Sequence, residues 1–348
     1  MELAIIALTK SGINIAHKIE ARMGGDIYIT ERFFDQSDSG KVHPIKTPFI
    51  DFVHRIFPKY TGLIFVTATG IAVRAIANVI KDKRTDPAVV VVDEQGKFAI
   101  SLLSGHLGGA NELALKIARV LGCTPVITTA SDIQGFESID LLAKRLGLYI
   151  DNFSNLARVS SCIVNGEKVA LSVERGFPQE KLVGLSDKTQ GFSGGVPRDA
   201  AATVFVTDEK ISPPTEPYAI LRPQNTVLGI GARRGASYQE LLSLLEKALE
   251  DFNLSEQSVG CISSIEIKKD EECICRLAEY LNVPLKLYTK AQLSEYEDRF
   301  PKSPFVKTAV GVGCVARPSA YIASLGGKEL GYYKGSGITL SVFKRRTS

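Results

Sequence analysis

Between Leu63 and Thr129 the chain twice passes from a short apolar run through a glycine-bearing turn into an amphipathic stripe, an alternation that restricts it to an α/β fold. Leu63 to Thr67 is short enough for a buried strand, and Thr69 and Gly70 turn it into a segment where Val73, Ile76, Ala77 and Ile80 recur at helical spacing. Ala88 to Asp93, with four consecutive valines, reads as a strand buried on both faces. Glu94, Gln95 and Gly96 fold it back onto Phe98 to Leu103 as an antiparallel partner. SGHLGGAN then leads into a helix striped by Leu113, Ile117, Val120 and Leu121 and closed by Gly122.

These joints hold the candidate chemistry. Arg74 falls in the first turn of its helix, where it opposes the helix dipole, so it is either a solvated side chain or an anion contact. Ser104, Gly105, His106, Gly108, Gly109 and Asn111 form a loop whose glycines allow a ligand to approach the backbone, with His106 one of four histidines in the chain. The glycine pattern matches neither a Walker loop nor the dinucleotide fingerprint.

Either side of this stretch the alternation continues. Leu3 to Leu8 and Ile27 to Thr30 read as strands, Ile15, Ile19 and Met23 as a helix stripe, Asp35 to Lys46 as a polar loop, and Phe49 to Phe57 as a helix. Residues 1–135 therefore read as an N-terminal α/β domain with a mostly parallel sheet. Residues 136–225 read as a small, loop-rich middle domain, with a helix from Ser138 to Gly147, a hairpin signalled by Asn165-Gly166, and an exit linker with three prolines from Ile211 to Pro217.

Residues 226–348 read as a C-terminal α/β domain. Its expected strands are Thr226 to Ile230, Val259 to Ile265, Leu285 to Tyr288 and Thr308 to Val312, with a closing hairpin of Leu330 to Tyr333 and Ile338 to Phe343. Ser237 and Glu240 fit a capping box for the helix from Tyr238 to Phe252. In the loop before it Arg233 and Arg234 sit among glycines, as an anion site or as two exposed side chains. Lys268 and Lys269 gain interest only if they share a cleft with those arginines.

Lys plus Arg exceed Asp plus Glu by 42 to 38, too mild an excess to suggest nucleic acid. No apolar run approaches the ~18 residues of a membrane span. The six cysteines include no C-x-x-C pair, and a protein-bound zinc is not expected; their even count would allow disulfides in a secreted protein, but no signal peptide is read before the first strand, so reduced thiols in a cytoplasmic protein fit best.

With SGHLGGAN, KDKRTDPAVVVVDE, GIGARRG and SSIEIKKDE in this order, the chain resembles the cobalt-precorrin-5A hydrolase family of anaerobic cobalamin biosynthesis. The resemblance covers nearly the whole length and is weakest from about Ser160 to Pro217. It departs at Ala232, where many members have cysteine, and at Arg317, where an acid is common.

The resemblance implies a hydrolase that opens the δ-lactone of cobalt-precorrin-5A, releases acetaldehyde and leaves cobalt-precorrin-5B. Against that chemistry His106 is the candidate for activating water, Glu112 or Asp93 its partner, and the N–H groups around Gly108 and Gly109 the oxyanion donors. Arg74, Arg233, Arg234, Lys268 and Lys269 are candidates for gripping the substrate's carboxylates, in a cleft expected between the first and last domains. Cobalt arrives inside the substrate, so no cofactor and no metal ligands are expected. A homodimer and contacts with neighbouring cobalamin-pathway enzymes are expected by analogy alone. Two competing readings are a corrinoid carrier without catalysis and a phosphate- or nucleotide-binding enzyme.

Overall fold

Five uninterrupted apolar residues, Leu3–Ala7 (β1), form an inner strand of the first sheet in the computed structural model, which describes residues 1–35, 40–129, 137–186, 189–191, 196–213 and 216–346. Around β1 run Asp26–Thr30 (β2), Val42–Ile45 (β3), Gly62–Val66 (β4), Ala88–Val92 (β5), Phe98–Leu103 (β6) and Thr124–Val126 (β7), in the order β3-β2-β1-β4-β5-β6-β7. The first five are parallel, β6 is antiparallel to β5, and β7 follows β6. A doubly wound core thus carries a reversed pair at one edge.

Successive residues of a strand face opposite ways, so each central strand must be apolar on both faces. Ile5, Ala7, Ile64 and Val90 pack with helices Lys10–Met23 (α1) and Ala110–Leu121 (α4). Ala4, Ile6, Phe65 and Val91 pack with Phe49–Ile56 (α2) and Thr69–Ile76 (α3). The strand β3 lies within the stretch expected to be a polar loop, of which residues 36–39 fall outside the described residues. Its Pro44 breaks the apolar pattern but is tolerated because β3 is an edge strand.

The chain divides into two compact units, Met1–Leu141 and Leu142–Ser348. The expected boundary at 135 falls outside the described residues, as do 214–215 of the proline-rich linker. In the second unit, Leu148–Ile150 (β8), Val169–Val173 (β9), Gln190–Gly191 (β10), Ala202–Val206 (β11) and Tyr218–Pro223 (β12) form a sheet ordered β10-β9-β11-β12-β8, parallel except for β8.

The hairpin expected at Asn165-Gly166 is instead the end of a helix, Phe153–Val164. Asn165 keeps helical dihedrals, Gly166 turns to φ +71°, and the Glu167 N–H reaches back to the Cys162 carbonyl at 2.9 Å. An Asn-Gly pair stops a helix by the same positive φ that makes it a hairpin turn.

The last sheet has the order β15-β14-β13-β17-β16, from Thr226–Ala232 (β13), Val259–Ile265 (β14), Leu285–Tyr288 (β15), Lys328–Gly335 (β16) and Ile338–Lys344 (β17). The first three are parallel and the last two form the expected hairpin. Tyr238–Asp251 and Glu272–Leu281 cover one face, and Ala316–Ala323 the other.

Two local expectations fail here. Thr308 to Val312 is not a strand, because Ser303 caps and Pro304 opens a helix, Pro304–Val310, that ends at Gly311 with φ +78°. The Ser237 hydroxyl bonds Gln239 Oε1 at 3.2 Å, so the capping box expected with Glu240 does not form. The box that does form joins Thr289 to Gln292.

Candidate functional site

Ser104 leaves β6 at φ +57°, a left-handed conformation that costs a residue with a Cβ on the order of 1 kcal/mol. Its Oγ is buried with no hydrogen-bond partner among the described residues. The turn from Ser104 to Gly109 is closed by its own backbone, Gly109 N–H to the His106 carbonyl at 3.0 Å and Ala110 N–H to the Ser104 carbonyl at 3.1 Å. Asn111 anchors it from below, its Oδ1 accepting from Ser101 Oγ at 2.6 Å and its Nδ2 donating to Thr129 Oγ1 at 3.0 Å. A Cβ on Gly105 would stand 2.7 Å from that Oδ1. Gly105 and Asn111 therefore build the loop.

The loop presents His106. Its side chain is 15% exposed, and Nδ1 lies 3.7 Å from Oδ1 of Asp140, a carboxylate that is itself almost buried. Asp140 is held by the Ser138 hydroxyl and by the Leu141 N–H at 3.1 Å, in the first turn of the helix Ile139–Leu146. At 3.7 Å the carboxylate stands just beyond direct hydrogen-bond reach of Nδ1, close enough to orient the ring. Sequence reasoning missed Asp140, which looks like an ordinary acidic residue at a helix start. Gly109 has spent its N–H on the turn, whereas Gly108's N–H has no partner among the described residues.

The other expected partners stand elsewhere. Asp93 follows β5, and its carboxylate accepts from the N–H groups of Gln95, Lys97 and Phe98 at 3.0, 2.7 and 2.7 Å, which makes it the cap of the β5–β6 turn. Because β6 runs antiparallel to β5, with Leu103 paired to Val89, the His106 loop lies at the opposite edge of the sheet, roughly 15 Å from Asp93 along the strand. Glu112 is 72% exposed and paired with Lys116 at 2.7 Å. Arg74 stands exposed in the last turn of α3, not the first as expected, because the helix is only Thr69–Ile76, so it does not oppose the dipole; α3 follows β4 at the same edge as Asp93, and Arg74 Nη1 donates to the Gly70 carbonyl at 3.2 Å.

In the second unit the parallel strands β13 and β14 bring the basic residues of the sequence to neighbouring loops. Buried Glu271 ties them, its Oε1 accepting from Gly235 N–H and its Oε2 from Lys268 Nζ, both at 2.8 Å. Burial pushes this carboxyl up, but the lysine and the N–H together hold it below the ordinary range. Lys268 is thereby committed to an internal ion pair. Arg233 and Arg234 are exposed, and Lys269, 70% exposed, lies 4.0 Å from Asp270. Arg317 bonds Glu329 at 2.7 Å and stacks 4.0 Å from the Tyr332 ring centre, a structural clasp between helix and sheet. Among the described residues no group of three or more His, Cys, Asp or Glu is arranged to hold a metal ion. No described helix is long and apolar enough to cross a membrane.

Comparison with known proteins gives matches along most of this length. Family models for the cobalamin synthesis G N-terminal region, the cobalamin biosynthesis central region and the cobalamin synthesis G C-terminus match residues 51–132, 137–223 and 226–343. The chain is 35% identical over 334 residues to cobalt-precorrin-5A hydrolase of Salmonella typhimurium strain LT2, covering 93% of this chain and 92% of that one. It is 33% identical over 360 residues to cobalt-precorrin-5A hydrolase of Priestia megaterium, covering 98% and 94%. A crystal structure of a cobalamin biosynthesis protein G homolog from Sulfolobus solfataricus aligns over 99% of this chain and 97% of that chain at 22% identity, with a TM-score of 0.36.

Proposed function

We propose that this chain, which belongs to the cobalt-precorrin-5A hydrolase family, opens the lactone of its substrate with His106 as the general base. The chain is a hydrolase of cobalamin biosynthesis, and the observation that carries this is its likeness to two cobalt-precorrin-5A hydrolases over nearly their full lengths.

In this reading the substrate is cobalt-precorrin-5A, whose δ-lactone joins the ring A acetate to the extruded meso carbon. Water adds to the lactone carbonyl as His106 takes its proton, and the Asp140 carboxylate at Nδ1 supports that role. The N–H of Gly108, without a partner among the described residues, suits it to receive the negative charge that develops on the carbonyl oxygen. Collapse breaks the acyl carbon–oxygen bond and leaves a free acetate and a secondary alcohol. Loss of the alcohol proton then lets the carbon–carbon bond break. The ring carbon keeps the electron pair and is protonated, and the two-carbon fragment leaves as acetaldehyde, giving cobalt-precorrin-5B.

Cobalt enters as part of the substrate, so no ligands from the chain are required. Arg233, Arg234 and Lys269, exposed and cationic, suit the carboxylates that ring a corrinoid. A cytoplasmic setting belongs to this reading of a cobalamin-pathway enzyme. A homodimer and contacts with neighbouring pathway enzymes rest on analogy.

The test is anaerobic incubation with cobalt-precorrin-5A, trapping acetaldehyde as a hydrazone. Wild type is expected to release acetaldehyde, and His106→Ala to lose at least about a hundredfold in rate. Undiminished release by the variant would remove His106 from the mechanism, and no release from either folded protein would overturn the reaction.

A further inference from the structure

The edge of the first sheet that carries the His106 loop also carries a cleft of about 650 Å³. Phe52 and Ile56 of α2 give it an apolar floor, and Tyr28 and Tyr60 form a wall. Arg55, near the end of α2, and Lys59, in the turn that follows, are both exposed and have no ion-pair partner among the described residues. The cleft adjoins the loop through Met1, which lines it and whose Cε lies 3.5 Å from the position a Cβ would take on Gly109.

Two carboxylates also line the cleft, and they differ in how far they are engaged. Asp26 accepts from Tyr60 OH at 2.6 Å, Tyr60 is 2.6 Å from Tyr28 OH, and His43 Nε2 lies 3.7 Å from the other Asp26 oxygen. Burial and this contact with Asp26 hold the Tyr60 phenol protonated far above its ordinary range, so it remains a donor. Glu2 is exposed and has no ion-pair partner among the described residues. Two cations without ion-pair partners among the described residues, Arg55 resting 6.0 Å from the Phe52 ring centre, therefore face one such carboxylate above an apolar floor, an arrangement suited to an amphipathic ligand with carboxylates at its rim.

We propose that this cleft binds the carboxylate-bearing edge of the corrinoid, with Arg55 and Lys59 holding its side-chain carboxylates and the apolar floor receiving the macrocycle's rim. The inference rests on the hydrolase reading for the identity of the ligand. It assigns a subsite beside His106, and Glu2 opposes binding there.

Binding is measured by calorimetric titration of the full chain with cobyrinic acid, a corrinoid with free carboxylates, and with its heptamethyl ester, which has none. Two charge-assisted contacts predict that Arg55→Ala/Lys59→Ala weakens binding of the acid at least about thirtyfold and changes binding of the ester little. Glu2→Gln is expected to tighten the acid about two- to fivefold. Equal weakening of acid and ester, unchanged binding of the acid by a double variant with wild-type circular dichroism and Tm, or a wild type that does not bind the acid would each overturn the subsite. Acetaldehyde release by wild type, measured in parallel, separates the two readings, because a hydrolase that turns over while the double variant binds the acid normally loses only the cleft.

Discussion

A methyl group on residue 108 would sit 2.4 Å from Ser104 Cβ and 2.9 Å from the Ser104 carbonyl oxygen, so the turn that presents His106 closes only around glycine. Overpacking of this kind costs about 1–3 kcal/mol, and relief requires the turn to shift. Gly108→Ala is therefore expected to slow acetaldehyde release at least about tenfold, with a modest fall in Tm. Gly122 is the control: at φ +69° with nothing within 4 Å of the place a Cβ would occupy, Gly122→Ala should cost about 1 kcal/mol of stability and leave turnover unchanged. The 3.7 Å approach of Asp140 to His106 makes a second prediction. Asp140→Asn keeps the shape and removes the charge, so turnover should fall on the order of a hundredfold while substrate affinity holds, read as kcat against KM. The loop that holds His106 was legible in the sequence as a run of glycines between a strand and a helix. Asp140 was not, since only the folded chain brings residue 140 to residue 106.

At the scale of elements, the ends of β9, β11 and β17 meet at a buried charge cluster. Lys344 Nζ lies 2.7 Å from Asp208 and 3.5 Å from Glu174, and the Asp208 N–H donates to Glu174 Oε2 at 2.7 Å. Burial and the neighbouring Asp208 carboxylate push the Glu174 carboxyl up to about 7, against the pull of Lys344. An acid raised in the folded state holds its proton over a range where the unfolded chain has released it. The folded state then binds more protons between about pH 4.5 and 7, and stability falls as pH rises through that window. Urea midpoints at pH 5, 6, 7 and 8 should show this decline, and Glu174→Gln should flatten it. Element assignment itself was legible where a run was long and apolar, as at β1, β4 and β5. It failed where a short signal has two structural uses. Asn165-Gly166 ends a helix, and the Ser303-Pro304 start claimed an apolar segment that had the look of a strand.

For the whole molecule, Met1–Leu141 has a seven-stranded sheet with helices and buried cores on both faces. A unit with its own covered core is expected to fold alone. Expressed as a fragment, it should show one cooperative thermal transition and dispersed amide resonances, and a molten fragment would contradict that expectation. The three-part α/β plan was visible in the alternation of runs and turns. The reversal of β6, which carries the His106 loop to the edge opposite Asp93, was legible too, in the turn signal of Glu94, Gln95 and Gly96; that Asp93 caps this turn was not.

The inner place of β1 bears on how the protein is made. Its partners are β2 on one side and β4 on the other, and β4 begins only at Gly62. At about 5–20 residues per second, a ribosome needs roughly 3–11 s after finishing Ala7 to synthesise as far as Gly62. Throughout that interval a wholly apolar strand has one unpaired flank. Nascent chains of this protein should therefore engage chaperones early in synthesis, and codon changes that slow translation between α1 and β4 should lower the soluble yield more than equal changes placed after β5.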